Sequence, residues 1–190
     1  HVHMAHDGLV LDIALDRRFA VWRDPDHVPA SAKGRAVTIG NFDGAHLGHR
    51  RLFATAAQQA GLVPTALTFD PHPTRILAPD RAPRLLSKLE ERFGWMEEEG
   101  IREVLVLPFS KDIAALSPEE FVKQVLLDKL AAKAVIVGED FRFGAKQAGD
   151  ADTLRELGAQ LGFQVVIVPA VPWRGVRASS TSVRQLLQDG

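Results

Sequence analysis

The sequence predicts an α/β fold: a doubly wound, Rossmann-like parallel sheet with helices on both faces. Three observations carry that expectation. Five short runs rich in β-branched residues are apolar at successive positions, a helical stretch lies between each pair, and strand and helix alternate along the chain. Strands that are apolar on both faces belong to a parallel sheet covered on both sides. The alternating order is that of an open α/β sheet, which binds its ligands beyond the carboxyl ends of its strands.

The strands read, in order, "AVTIGNF" (36–42), "VPTALTF" (63–69), "REVLVLPF" (102–109), "KAVIVG" (133–138) and "FQVVIVPA" (163–170). Helices are expected over 48–60, 86–99, 118–131 and 151–161, with a last one from about 182. The third helix announces its own start. Ser117 stands as N-cap, Pro118 takes the first helical position, and Glu120 is placed to complete a capping box. The proline-spaced "DPHPTRILAPDRAPR" (70–84) is the one long irregular insertion, a kind of loop that is usually functional or disordered. Residues 1–18, with their His-rich start, read as a leader that is partly vector-derived or poorly ordered, which leaves 19–190 as the working domain.

Composition narrows the function. The 190 residues include 46% hydrophobic residues, enough for one real core. Lys and Arg total 23 against 24 Asp and Glu, a net charge of -1. That balance provides no long-range pull towards nucleic acid or an anionic membrane, so neither is expected as a partner and any polyanion must be gripped locally. No stretch approaches the ~20 apolar residues of a membrane span. Cysteine is absent. Disulfides, zinc-cysteine sites and thiol catalysis are therefore excluded, and a cytoplasmic setting is expected.

The first candidate site is "TIGNFDGAHLGHRRL" (38–52), directly after the first expected strand. Glycine permits a sharp turn and a close ligand approach, while the helix beginning near Gly48 aims N–H groups and the positive end of its dipole at the same space. That geometry wants an anion. Neither familiar glycine-rich phosphate loop is present, so His46 and His49 are expected to supply the donors to phosphate oxygens. A metal site of Asp43, His46 and His49 is the competing use of the same residues, and Gly44 and Gly48 work against a regular helix holding it. The second candidate, "RGVRASSTSVRQLL" (174–187), sets Arg174, Arg177 and Arg184 beside Ser179, Ser180, Thr181 and Ser182. Ser182 and Gln185 have capping-box spacing, but a cap needs one hydroxyl. Four hydroxyls beside three guanidinium groups suit a polyphosphate tail.

Four stretches in register carry a family resemblance. They are G-x-F-D-G-x-H-x-G-H (Gly40 to His49), "FDPHP" (69–73), "VGEDFRFG" (137–144) and "VRASSTSVR" (176–184). Together they resemble the FAD synthetase (FMN adenylyltransferase) module of bacterial bifunctional riboflavin kinase/FAD synthetases, from about residue 36 onwards. The first stretch alone resembles the wider nucleotidyltransferase superfamily; the middle two point to a flavin. The chain departs from the family pattern at Ala178, where isoleucine is common, and at Asp140, where some members carry asparagine.

The resemblance implies transfer of AMP from ATP to FMN, giving FAD and pyrophosphate. His46, His49, Thr181 and Arg184 would be the catalytic group. Gly40, Asn41, Phe42, Gly48, Arg177, Ser179 and Ser180 would bind ATP, the first three by backbone contact on the adenosine side. Pro71, His72, Pro73, Asp140 and Phe143 would hold the flavin, and Phe141 is as well suited to the core as to contact. The family also supplies Mg²⁺, carried with ATP, and a covalently linked riboflavin kinase module in the full-length protein that is expected to be absent from this chain. A related adenylyl- or cytidylyltransferase, or a flavin or nucleotide sensor without catalysis, are the alternatives.

Overall fold

The structure is a computed structural model that describes residues 2–5, 8–11, 19–42, 47–70 and 89–170. Its strands are β1 (Val2–Ala5), β2 (Gly8–Leu11), β3 (Phe19–Trp22), β4 (Arg35–Ile39), β5 (Val63–Asp70), β6 (Glu103–Pro108), β7 (Ala132–Gly138) and β10 (Gln164–Val168). They form one eight-stranded sheet in the order β1-β2-β3-β6-β5-β4-β7-β10. From β3 to β10 every neighbour is parallel, and β1 and β2 continue the sheet antiparallel beyond β3. A small antiparallel pair, β8 (Arg142–Phe143) and β9 (Gly149–Asp150), stands apart.

The five expected strands are all present and parallel. Three further strands, β1 to β3, join them. Val2–Ala5 and Gly8–Leu11 fall in the stretch expected as a leader, and Phe19–Trp22, at four residues, is too short for its sequence to mark it as a strand.

Side chains alternate between two cores, as strand geometry requires. Val37, Ile39, Leu67, Leu105, Leu107, Val135 and Val137 face one side of the sheet, and Ala36, Ala66, Val104, Val106, Ala134 and Ile136 face the other. Helix α1 (Leu47–Ala57) covers the second face with Leu52, Phe53 and Ala56, and α2 (Leu89–Glu98) adds Phe93 and Met96. The first face is covered by α4 (Pro118–Phe121), which continues as Val122–Lys129, and by α5 (Ala151–Leu161). A short α3 (Lys111–Ala114) precedes them, capped by Ser110. The sheet is thus doubly wound, as the apolar runs required.

The expected helix over 118–131 begins with the capping box it announced: Ser117 Oγ accepts from the Glu120 N–H at 3.1 Å, and Glu120 Oε1 accepts from the Ser117 N–H at 2.8 Å. Its continuation differs, since Val122–Lys129 is wound as a π-helix whose exit bond runs from the Leu130 N–H to the Val125 carbonyl. Composition does not distinguish that i→i+5 winding from an α-helix. At the start of β4 the buried Arg35 guanidinium gathers Glu103 Oε1 at 2.7 Å and the Leu130 carbonyl at 3.1 Å, which locks the helix exit to the sheet.

Candidate active site

The strand order decides where to look. From β4 the chain steps to β5 and then β6 on one side, while β7 and β10 lie on the other. The order therefore reverses between β4 and β7, and connections leaving their carboxyl ends part in opposite directions. Such a point leaves a crevice where α/β sheets bind ligands. A cleft of about 340 Å³ lies there, lined by Gly40, Phe42, Gly48, His49, Glu139 and Phe141 among others. A larger cavity of about 790 Å³ opens at the opposite end, between the starts of β5 and β6, and its lining includes Lys33, Glu97 and Arg102. Size does not make it the site: it lies away from the strand ends that collect the glycine turn and the histidine.

One wall is built by the turn Gly40–Phe42. The expected strand 36–42 stops at Ile39, because the chain bends while the Gly40 N–H still donates to the Leu67 carbonyl at 3.1 Å. Phe42 takes a φ of 54°, rare for a bulky side chain and a mark of backbone strain. Its ring turns inward and is only 2% exposed. It meets Phe53 edge-on with centroids 4.8 Å apart and stands 5.6 Å from His49. His49 and Phe53 are four residues apart on one face of α1, so a single ring supports both. Gly40 is needed for this arrangement, since a Cβ there would come within 2.8 Å of the Phe42 ring.

Helix α1 begins at Leu47, so Gly48 and His49 lie in its first turn, where backbone N–H groups and the helix dipole favour an anion. Both line the cleft. Beneath the turn, the Asn41 carbonyl accepts two hydrogen bonds, one from Arg92 Nη1 at 2.6 Å and one from Thr68 Oγ1 at 3.3 Å. Arg92 is 5% exposed. The sequence reading missed it. An arginine in "LEERFGWMEE" looks like any solvent-facing helix residue, and only the fold brings it under residue 41.

The opposite wall leaves β7 as Gly138–Phe141, a tight turn closed by the Phe141 N–H donating to the Gly138 carbonyl at 3.1 Å. Glu139 was also missed as an individual residue. Its N–H donates to the Val168 carbonyl, and its carboxylate accepts from the Ala170 N–H at 3.0 Å, so it ties the exit of β10 to the wall. Asp140 is exposed and lines the cleft. Phe141 lies half-buried at the same cleft, while Phe143 is 7% exposed and packed in the core. The two rings stack with centroids 5.3 Å apart and planes 14° apart. Phe143 thus stands behind Phe141, and through Phe121 it joins an aromatic row that reaches Phe69 and Phe109.

Of the sequence-derived site, the structure brings together Gly40, Asn41, Phe42, Gly48, His49, Asp140 and Phe143 at or just behind the cleft. His46 with Asp43, the flavin wall Pro71, His72 and Pro73, and the cluster of Arg174, Arg177, Ser179, Ser180, Thr181, Ser182 and Arg184 lie outside the described residues. No group of three or more His, Asp or Glu side chains gathers as a metal cage among the described residues. No helix among them is long and apolar enough to cross a membrane.

Comparison with known proteins bears on this geometry directly. The family profile described as FAD synthetase matches residues 28–182, which include both walls of the cleft. The chain belongs to the FAD synthetase family. Curated relatives of this FAD synthetase-family chain include the bifunctional riboflavin kinase/FMN adenylyltransferases of Escherichia coli (strain K12), 38% identical over 84% of the chain and 52% of the relative. That of Pseudomonas fluorescens is 37% identical over 86% of the chain and 51% of the relative. That of Bacillus subtilis (strain 168) is 31% identical over 87% and 54%. The chain spans about half the length of these relatives. Among solved structures, a protein titled a macrolide-efflux protein from Streptococcus pneumoniae superposes with a TM-score of 0.69 at 28% identity, over 90% of this chain and 57% of its own.

Proposed function

We propose that this chain is an ATP:FMN adenylyltransferase, joining the AMP of ATP to FMN and releasing pyrophosphate. The observation that carries the reading is the cleft at the strand-order reversal, lined by Gly40, Gly48 and His49 on one side and Asp140 and Phe141 on the other, in a chain of the FAD synthetase family. At about 340 Å³ this part of the cleft suits a segment of a nucleotide substrate rather than both substrates whole.

In the reaction, an FMN phosphate oxygen attacks the α-phosphorus of ATP. A P–O bond forms there, the bond between the α-phosphorus and its bridging oxygen breaks, and pyrophosphate departs with that electron pair. A phosphomonoester with a second pKa near ~6 is largely ionised at neutral pH, so the attacking oxygen needs no general base. What the protein must supply is alignment and donors for accumulating charge. We assign His49, in the first turn of α1, to donate towards the α-phosphate, with His46 as its companion. The Gly40–Phe42 turn presents backbone to the adenosine, and Gly48 lets the phosphates approach the helix start.

We assign Thr181 and Arg184 to the leaving pyrophosphate, and Arg177, Ser179 and Ser180 to the ATP tail. Asp140, Phe141 and the segment Pro71, His72 and Pro73 form the flavin side, with Phe143 as the ring that backs Phe141. Mg²⁺, carried on the phosphates of ATP, would offset their negative charge there, since Mg²⁺ usually keeps waters and binds through substrate phosphates. We assign the reaction to the cytoplasm, a setting that suits a sequence without cysteine. By analogy with the bifunctional relatives, a riboflavin kinase module is the covalent partner in the full-length protein.

The test is chromatography of flavins and a pyrophosphate assay after incubation with ATP, Mg²⁺ and FMN. FAD and pyrophosphate in equal amounts are expected. Turnover of phosphopantetheine or nicotinamide mononucleotide in place of FMN would reassign the substrate, and binding of ATP and FMN without pyrophosphate would make the chain a sensor.

A further inference from the structure

A charged guanidinium lies where burial is costly. Arg92 sits in the buried face of α2, 5% exposed, together with Phe93 and Met96, which belong to the apolar core. Arginine stays protonated inside proteins, and removing it from water costs several kcal/mol unless its donors are engaged. Arg92 Nη1 is engaged at 2.6 Å with the Asn41 carbonyl, and Thr68 Oγ1 donates to that same oxygen from β5. A carbonyl held by two side chains from separate elements is fixed in direction. Its peptide joins Asn41 to Phe42, so fixing it also fixes the residue that carries a φ of 54°.

The consequence reaches the cleft through Phe42. The ring it buries packs edge-on against His49 at 5.6 Å, and Gly40, on the other side of Asn41, lies against that ring. The polar interior under the turn is not saturated: Thr38 Oγ1 and Asn41 Oδ1 are buried without a hydrogen-bond partner. Partly satisfied networks of this kind cost stability and persist where a conformation must be held.

We propose that Arg92 is a positioning residue for the nucleotide side of the cleft, holding the Gly40–Phe42 turn through the Asn41 carbonyl and thereby setting His49. The inference rests on the adenylyltransferase reading for its choice of assay. Arg92 touches neither substrate in this account; it acts through residues 41 and 42.

The experiment compares wild type with Arg92→Met, which keeps the length and apolar stem, and with Arg92→Lys, which keeps the charge but not the planar fork. Thermal melting reports the folded fraction, steady-state kinetics with ATP and FMN varied separately report function, and calorimetry with ATP alone reports binding. The expected result for Arg92→Met is a fall of about 10- to 100-fold in kcat/KM for ATP, the scale of a lost charge-assisted hydrogen bond, with the KM for FMN unchanged. Arg92→Lys should fall between the two. If Arg92→Met does not fold, Arg92→Lys carries the test with the same pattern expected, a loss in kcat/KM for ATP at an unchanged KM for FMN. A rise in KM for FMN equal to that for ATP, or activity reduced only in proportion to the folded fraction, would overturn the proposal, because an arginine that merely supports the core has no preference between the two binding sites. A wild type that makes no FAD refutes the reaction instead; the calorimetric comparison of ATP affinity then still decides the role of Arg92.

Discussion

Phe42 stands edge-on to His49, ring centroids 5.6 Å apart and planes at 86°. The imidazole that faces the cleft is therefore steadied by a ring that belongs to the core. Gly40 controls the position of that ring, since a Cβ at residue 40 would come within 2.8 Å of it. Gly40→Ala should cost roughly 1–3 kcal/mol of stability, as overpacking does, and up to ~10²-fold in kcat through misplacement of His49. Thermal denaturation and FAD formation measure the two effects. A destabilised variant with wild-type kcat would show that the ring and the histidine move independently.

His49→Ala should reduce turnover far more than substrate affinity. Loss of one donor aimed at developing charge costs about 10²–10³ in rate. The check is the split between kcat and KM for ATP. A raised KM with kcat intact would move His49 to ground-state binding.

Arg184, assigned to the leaving pyrophosphate, should not tolerate lysine. Arg184→Lys keeps a positive charge and loses the bidentate fork, so kcat should drop even with ATP saturating. Steady-state rates equal to wild type would make Arg184 an ordinary helix-surface residue.

Acid should weaken the start of α5 through Asp150. The Thr153 backbone N–H, and then its hydroxyl, holds this carboxyl below its ordinary value of 3.8, helped by the charge of Arg142. A carboxyl depressed in the fold contributes stability that is complete above the ordinary value and is lost as pH falls through the lower, folded one. Urea unfolding at pH 7 and near pH 3 should therefore show a smaller acid-induced drop in midpoint for Asp150→Asn than for wild type. Equal drops in both proteins would mean that the cap carries no acid sensitivity.

The central sheet was legible because its strands are buried on both faces, and burial on both faces leaves long apolar runs such as "KAVIVG". β1 to β3 are hidden for another reason: four-residue runs are too short to read as strands, and β1 and β2 fall in the stretch expected as a leader. The start at Ser117 was legible because a capping box is local chemistry, whereas the π-winding that follows depends on packing and leaves no local signature. At the site, Gly40, Gly48 and His49 could be found from spacing alone, since bare backbone beside imidazole is an unusual pairing. The positive φ of Phe42 could not, because nothing in a phenylalanine signals it. Arg92 was invisible for a related reason: its meaning comes from Asn41, fifty-one positions away. The relative roles of Phe141 and Phe143 likewise needed coordinates, since two alternating rings look equivalent until one is stacked behind the other.

The two walls of the cleft spring from strands that are immediate neighbours, with Val37 beside Val135 and Thr38 beside Ile136. Adjacent strands sit about 4.8 Å apart, a distance set by backbone hydrogen bonds and indifferent to side chains. The mouth between Gly40 and Gly138 therefore has a fixed gauge. Replacing Asp140, Phe141 or His49 changes what the walls offer to a ligand without widening or narrowing their footing. A scaffold of that sort can be refitted for a different ligand one side chain at a time, because the track on which both walls run is laid by the main chain.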